Sequence, residues 1–310
     1  MQSLAGSPLL RIGTRGSPLA LKQAQEVRER LIAANGLFPS EVELVTIRTS
    51  GDKILDRPLA EAGGKGLFAK EIEQALLDGA IDLAVHSAKD LPTFLPDGLE
   101  LAACLEREDV RDVFIGRTAA SLAELAPRGR VGTASLRRQA MVKRLRPDLE
   151  VVTFRGNVET RLRKLDEGAA DATLLALAGL NRLGLASVAT AILSVDEFLP
   201  AIGQGAIAIE ARAGDGRVRD LLASIAHADT MIALEAERAF LAELDGSCRT
   251  PIAGHAALAG GTVRFRGMIL RPDGSETHET RRSGDVQNAQ ALGADAGREL
   301  KARASADFFA

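Results

Sequence analysis

The sequence of 310 residues contains no tryptophan and no tyrosine, so its aromatic rings are ten phenylalanines and four histidines. Tryptophan and tyrosine are usual platforms on which single-stranded nucleic acid stacks its bases, and both are missing. The formal net charge is only -3, with no block of like charges, which argues against a basic surface for nucleic acid. We therefore expect no nucleic-acid partner.

Cysteine is scarce as well. Cys104 and Cys248 are the only two, which excludes a disulfide framework and favours a reducing compartment. The first ten residues lack a basic start and a long apolar segment, and the uncharged runs fall short of the ~18 apolar residues of a membrane span. The four histidines have no metal-ligand spacing. We expect a cytoplasmic protein with neither a membrane partner nor a metal.

The most informative stretch is 81–92, where a short apolar run breaks into His86, Ser87, Lys89 and Asp90. Such a run is typical of a buried parallel strand. Ligands of open α/β sheets bind just beyond the carboxyl ends of strands, where Asp90 would lie. Asp90 could also cap the next turn. This stretch alone does not decide between the two interpretations.

The first part of the chain alternates between strand and helix patterns. The predicted elements are a strand at 9–12, a helix at 19–34, a strand at 42–47, a mobile loop at 50–66, a helix at 67–77, a strand at 99–105 and a charged crossing at 106–112. From residue 130 the pattern begins again. Segments 131–138, 151–155 and 165–171 match segments 12–17, 44–48 and 77–82 in the same order. This indicates two lobes of one βα design, with a cleft between them.

The remainder of the chain changes character. Residues 199–210 predict a glycine-bearing crossover and a strand that returns to the first lobe, followed by a helix at 221–244 and a loop at 245–251. A strand at 262–270, a turn at 272–274 and an amphipathic helix at 285–304 predict a small α+β domain. We expect an α/β protein with a first lobe at 1–107 and 200–222, a second lobe at 108–199 and the small domain at 223–310.

Arginines cluster at the predicted strand-to-helix junctions. They are Arg15, Arg137, Arg138, Arg155, Arg161 and Arg182. A helix N-terminus favours anions, and a guanidinium fork matches carboxylate or phosphate. Any one of these arginines is more often a solvated side chain, but six in similar settings favour a polyanion pocket. No phosphate-binding glycine pattern follows a strand, so nucleotide fits poorly.

The two cysteines differ in setting. Cys248 lies in a Gly-Ser-Cys-Arg-Thr-Pro loop, where exposure and Arg249 favour a thiolate. Cys104 lies in an apolar run and fits an inert core residue.

Eight motifs together resemble the porphobilinogen deaminase family, also called hydroxymethylbilane synthases. They are Gly13-Thr-Arg-Gly-Ser-Pro-Leu-Ala20, Gly63-Gly-Lys-Gly-Leu-Phe68, Val85-His-Ser-Ala-Lys-Asp-Leu-Pro92, Gly132-Thr-Ala-Ser-Leu-Arg-Arg-Gln139, Arg155-Gly-Asn-Val158, Ala178-Gly-Leu-Asn-Arg-Leu-Gly184, Pro200-Ala-Ile-Gly-Gln-Gly205 and the Cys248 loop. The resemblance runs from about Leu10 to the final helix.

The resemblance implies two doubly wound lobes similar to those of two-lobed periplasmic binding proteins, plus a small cofactor-carrying domain. It implies a transferase of porphyrin and haem biosynthesis that condenses four porphobilinogen molecules, with loss of ammonia, into the linear tetrapyrrole hydroxymethylbilane. Such enzymes build on a dipyrromethane primer held by a thioether, here to Cys248. We expect a monomer.

The resemblance also assigns roles to residues. Asp90 would be the catalytic carboxylate that binds pyrrole N–H groups and assists proton transfer. Cofactor and substrate carboxylates would be bound by Arg15, Lys89, Arg137, Arg138, Arg155, Arg161 and Arg182, with Ser87, Thr133, Ser135 and Gln204 as lesser hydrogen-bonding candidates. The 50–66 loop with Lys65 would act as a lid.

The sequence departs from the family pattern in places. Glu61 stands where many relatives have lysine, so no binding role is assigned there, and Ser247 with Arg249 leaves details of the cysteine loop open. The rival interpretation is a non-catalytic, two-lobed anion-binding module, which would carry no dipyrromethane.

Overall fold

A computed structural model describes residues 8–53, 69–244, 250–305 and 307–308. The strands are β1 (Leu10–Arg15), β2 (Val42–Ile47), β3 (Leu83–Ser87), β4 (Leu99–Cys104), β5 (Asp112–Gly116), β6 (Arg130–Gly132), β7 (Glu150–Val152), β8 (Ala172–Ala176), β9 (Ala191–Ile192), β10 (Ile207–Arg212), β11 (Ile252–Ala259), β12 (Thr262–Leu270) and β13 (Thr277–Asp285). The helices are α1 (Pro18–Asn35), α2 (Ser50–Lys53), α3 (Lys70–Leu77), α4 (Leu136–Leu145), α5 (Val158–Asp166), α6 (Leu177–Leu183), α7 (Gly216–Ala223), α8 (Ala228–Glu243) and α9 (Ala289–Arg303). Among them, none is both long and apolar enough to cross a membrane.

The first lobe is a five-stranded sheet in the order β2-β1-β3-β10-β4. β1 runs parallel to β2 and β3, whereas β10 is antiparallel to both of its neighbours. Helices α1 and α7 bury their apolar residues on one face, and α3 covers part of the other. α1 begins at Ser17, whose hydroxyl accepts from the Ala20 N–H, and ends at Gly36 in the left-handed conformation. The predicted return of β10 to this lobe is confirmed.

The second lobe repeats the first. Its sheet has the order β7-β6-β8-β5-β9, with the same parallel and antiparallel pairs. Asp82 of the first lobe and Asp171 of the second occupy equivalent positions before β3 and β8. The Asp82 carboxylate accepts from the Arg11 N–H at 2.8 Å, and the Asp171 carboxylate accepts from the Arg130 N–H at 2.7 Å. The repeat predicted from three short matches is therefore confirmed, and the two lobes share this hydrogen bond as well as their strand order.

The C-terminal domain is an antiparallel sheet, β11-β12-β13, covered by α8 and α9. The two helices cross closely because glycines face the contact. A Cβ built on Gly293 would lie 1.9 Å from the Ala236 carbonyl oxygen. Met268 and Leu270 of β12 belong to the second lobe's core, and Leu234 of α8 packs with Cys104 of the first. The small α+β domain is thus confirmed, and it contacts both lobes.

Several details differ from the sequence prediction. The helix expected at 221–244 is two helices, because the chain breaks after Ala223 and His227 caps α8 by accepting from the Thr230 N–H. The loop expected at 50–66 begins with the helical turn α2, and residues 54–66 lie outside the described part of the chain. Strand β11 was not predicted, since its sequence, IAGHAALA, is rich in alanine and glycine.

Candidate functional site

Asp90 lies at the carboxyl end of the first lobe's sheet. β3 ends at Ser87, and a 3₁₀ turn, Ala88–Asp90, follows it. The Asp90 side chain is 40% exposed, and its Oδ2 lies 4.0 Å from Nη1 of Arg15, which ends the parallel neighbour β1. Arg15, Ser17, Gln23, Ser87 and Asp90 line a small cleft at this edge. No backbone N–H within the described ranges donates to the Asp90 carboxylate, so the capping interpretation finds no support there.

Lys89 is the basic neighbour of Asp90 on the same turn. Its Nζ lies 3.4 Å from Oε1 of Gln204, whose amide nitrogen donates to the Val110 carbonyl at 2.8 Å. Burial and the positive charge of Arg138 lower the pKa of Lys89 to about 8. A bound carboxylate would stabilise the ammonium and raise that pKa again. Ser87 donates to the side chain of Gln23 at 3.0 Å.

Arg137 and Arg138 lie in the first turn of α4, which is capped by Ser135. Both are buried, and both bind the buried carboxylate of Asp112, each with a closest contact of 2.7 Å. Arg137 also donates to the Leu199 carbonyl and Arg138 to the Leu174 carbonyl, each at 2.8 Å. The two guanidinium groups are therefore less available to a ligand than the sequence suggested.

Asp112 is a residue that the sequence interpretation missed. Burial opposes its ionisation, but the adjacent charges of Arg137 and Arg138 outweigh burial and lower the pKa of Asp112 to about 2. One carboxylate cannot neutralise two guanidinium groups, so the cluster keeps a net positive charge at the edge of the second sheet. The only signal in the sequence was the acidic end of the charged stretch 106–112. Thr133 is buried beside the same turn, and its hydroxyl accepts from the Ser135 N–H at 3.1 Å.

Arg155 and Arg161 lie at the neighbouring turn of the second lobe. Arg155 is 8% exposed, and its buried Nη1 has no hydrogen-bond partner among the described residues. Arg161 donates through Nε to the Gly156 carbonyl at 2.9 Å. Burial, and then repulsion by Arg138, lower the pKa of Arg161 to about 10, while the Asp90 carboxylate acts in the opposite sense. Arg161 of the second lobe and Asp90 of the first are therefore close enough to attract each other electrostatically.

Arg182 joins the two lobes. It lies in the last turn of α6, where its Nη2 donates to the Gly205 carbonyl at 3.0 Å and its Nε lies 3.7 Å from Glu26 of α1. The prediction that all six arginines lie at strand-to-helix junctions is wrong for Arg182, which lies at the C-terminal end of its helix.

Cys104 is fully buried, and burial raises the pKa of its thiol to about 12, which confirms the inert core assignment. Lys65 and Cys248, and the departures at Glu61, Ser247 and Arg249, lie outside the described residues.

Comparison with known proteins gives a consistent result. Residues 10–220 match the family model described as "Porphobilinogen deaminase, dipyromethane cofactor binding domain", and residues 231–302 match "Porphobilinogen deaminase, C-terminal domain". The chain is 62% identical over its whole length to the porphobilinogen deaminase of Nitrobacter hamburgensis, 98% of which is covered. It is 63% identical over 97% of its length to that of Nitrobacter winogradskyi, with 95% covered. Among solved structures, a periplasmic substrate-binding protein of an ABC transporter from Coxiella burnetii is similar to 72% of this chain and 94% of its own, with 12% identity and a TM-score of 0.44.

Proposed function

Because this chain belongs to the porphobilinogen deaminase family, we propose that it joins four porphobilinogen molecules head to tail into hydroxymethylbilane, with loss of ammonia. The observation that carries the assignment to this site is the electrostatic arrangement around Asp90. Asp90, a partly exposed carboxylate, follows β3 in the first lobe 4.0 Å from Arg15, and the buried Arg161 of the second lobe attracts it. The acetate and propionate of each pyrrole require cations, and the pyrrole N–H, which becomes positively charged in the reaction, requires a carboxylate.

The chain's residues fit a dipyrromethane primer. The buried Nη1 of Arg155 without a partner is the group that a ligand carboxylate would satisfy, since a buried unpaired guanidinium nitrogen is costly. Arg15, Lys89, Arg161 and Arg182 would bind further carboxylates, and Arg137 and Arg138 would contribute the net charge of their cluster with Asp112. Ser87, Thr133, Ser135 and Gln204 would add neutral hydrogen bonds. When bound, the dipyrromethane supplies the free α-carbon to which the first substrate is joined.

Asp90 is the group that this proposal assigns to the chemistry. Ammonia leaves porphobilinogen with the electron pair of its C–N bond and takes up a proton, and the remaining methylene-pyrrole carries positive charge on its ring nitrogen. The Asp90 carboxylate would accept a hydrogen bond from that N–H and stabilise the cation. A carboxylate at this position could also assist the transfer of the α-proton that the new C–C bond replaces.

The test compares Asp90→Asn with Asp90→Glu. The amide keeps the size of the side chain but removes the charge, so we expect turnover to fall by ~10² to 10⁴, the usual value of a positioned proton-transfer group. Asp90→Glu keeps the charge and should retain more activity than the amide. A capping role requires the opposite order, because Asn caps as well as Asp. Circular dichroism checks that both variants are folded; a folded, fully active Asp90→Asn would exclude the catalytic role.

We also propose Cys248 as the sole attachment point of the primer through a thioether. Intact mass should show a dipyrromethane adduct on the wild type and on Cys104→Ala, and none on Cys248→Ala. An unmodified wild type would favour the non-catalytic binding module instead. The proposal includes a lid role for Lys65, a monomer in the cytoplasm, and domains at 1–107 with 200–222, at 108–199 and at 223–310.

A further inference from the structure

The carboxylate of Glu237 lies where three parts of the fold meet. Glu237 belongs to α8 and is fully buried. Its Oε1 accepts from Arg107 Nη1 at 2.7 Å and from the Ala256 N–H at 2.8 Å. Its Oε2 accepts from Arg107 Nη2 at 3.0 Å and from the Gly203 N–H at 2.7 Å. We call these four residues the Glu237 junction.

Each partner of Glu237 belongs to a different segment. Arg107 lies on the connection that leaves the first lobe after β4 and enters the second at β5. Gly203 lies on the connection that returns from β9 to β10, and Ala256 lies on β11 of the C-terminal domain. One carboxylate is thus bonded to both connections between the lobes. Because removing one partner of a buried ion pair is strongly unfavourable, this carboxylate holds the three segments together.

The junction also reaches the turn that holds Asp90. Arg107 donates through Nε to the Gln204 carbonyl at 2.9 Å, and the Gln204 side chain contacts Lys89. Gly203 has a positive φ of 71°, and a Cβ there would lie 3.0 Å from the Lys89 backbone nitrogen. The return connection therefore packs directly against the Ala88–Asp90 turn. A displacement of the junction would shift Lys89 and Asp90 relative to the second lobe.

We propose that Glu237 is a positioning residue for chain elongation, which couples the C-terminal domain to both interlobe connections while successive rings are added. The inference rests on the proposed function. The growing chain would be attached at Cys248, which follows α8 in the sequence, whereas Asp90 stays on the first lobe. Each new chain end must reach the same carboxylate, so the C-terminal domain and the lobes must move in a coordinated way. The Glu237 junction is the contact that links them.

The experiment compares Glu237→Gln with Glu299→Gln. Glu299 of α9 is the control because it also accepts from arginine through both oxygens, from Arg282 Nη2 at 2.7 Å and from Arg303 Nη1 at 3.2 Å, but both arginines belong to the C-terminal domain. Each purified full-length protein is mixed with a limiting amount of porphobilinogen and quenched at short times. Intact mass then gives the number of rings on each chain, at a temperature where circular dichroism shows both variants folded.

We expect Glu237→Gln to keep its primer and to accept the first ring, but to accumulate chains that carry one or two added rings. The ratio of late to early addition rates should fall about tenfold, a value typical of losing one coupled interaction. Glu299→Gln should keep the wild-type ratio. The double variant Arg107→Gln/Glu237→Gln should recover part of it, since two amides can hydrogen-bond without a buried charge.

Two results would overturn the inference. One is an equal slowing of every addition in Glu237→Gln, which is what a general loss of stability produces. The other is the same change in Glu299→Gln. A wild type without a dipyrromethane adduct is a distinct outcome, visible before any substrate is added, and it would reject the proposed function together with this inference.

Discussion

The Glu73 side chain makes the stability of the first lobe depend on pH. Glu73 lies on α3 and is buried, and its Oε1 has no hydrogen-bond partner among the described residues. The fully buried Glu210 of β10 repels it, and Glu210 in turn lies 3.2 Å from His86 Nε2 without the alignment of a hydrogen bond. Arg238 of α8 also acts on Glu210. Burial, and then Glu210, raise the pKa of Glu73 from 4.5 to about 7.

The sign of the effect follows from proton binding. The folded state holds the Glu73 proton more tightly than the unfolded state does, so this group's contribution to stability is complete below about pH 4.5. That contribution is lost as the pH rises to about 7, where the folded state also releases the proton. A pKa difference of this size corresponds to about 3 kcal/mol. An uncharged side chain of the same shape would avoid the loss.

We therefore expect Glu73→Gln to be more stable than the wild type at pH 8, by up to about 3 kcal/mol, and close to it at pH 4.5. The measurement is urea unfolding at both pH values. Circular dichroism is the probe because the chain lacks tryptophan and tyrosine. Glu235→Gln, on the exposed face of α8, is the control and should show no such difference. If Glu73→Gln gained no stability relative to the wild type between pH 4.5 and 8, the reasoning would be refuted.

Three other changes test the packing and charges described above. Asp112→Asn leaves two buried guanidinium groups without a counter-charge, so unfolding by circular dichroism should show a loss of about 3 to 5 kcal/mol; a neutral effect would mean that the cluster is solvated. Arg161→Leu should lower kcat/KM by about tenfold to a hundredfold, whereas Arg163→Leu on the same helix, where the side chain is 69% exposed, should be within about twofold. Gly293→Ala should destabilise the protein despite the better helix propensity of alanine, and the control Gly216→Ala, which meets no atom within 4 Å, should not.

Local patterns predicted much of the fold. The strands at 42–47 and 262–270 have the predicted bounds, because apolar runs of that length between turn residues leave few alternatives. The break between α7 and α8 was missed, since it depends on a tertiary contact: the His227 N–H donates to the Cys104 carbonyl at 2.8 Å. Sequence spacing carries no information on such a contact.

The sequence was enough to place the site residues at the ends of strands, but it did not predict which side chains they would contact. The order of elements places Asp90 and Arg15 at adjacent ends of parallel strands, and the structure has them 4.0 Å apart. That Asp112 would bind both Arg137 and Arg138 was not predictable, because β5 pairs with β8 only after the chain crosses between the lobes. The charges of a site can be read from a sequence, but their partners depend on topology.

The two sheets share one architecture but differ in the residues that follow β3 and β8. At the end of β3 the first lobe has Lys89 and Asp90, whereas at the end of β8 the second lobe goes directly into the apolar start of α6 at Leu177. Under the proposed function, the two copies of this architecture would have different tasks: the first lobe would carry the reacting carboxylate and the second would contribute buried arginines. A reacting group confined to one lobe would suit a processive reaction, because the growing product could move by one unit past a fixed carboxylate.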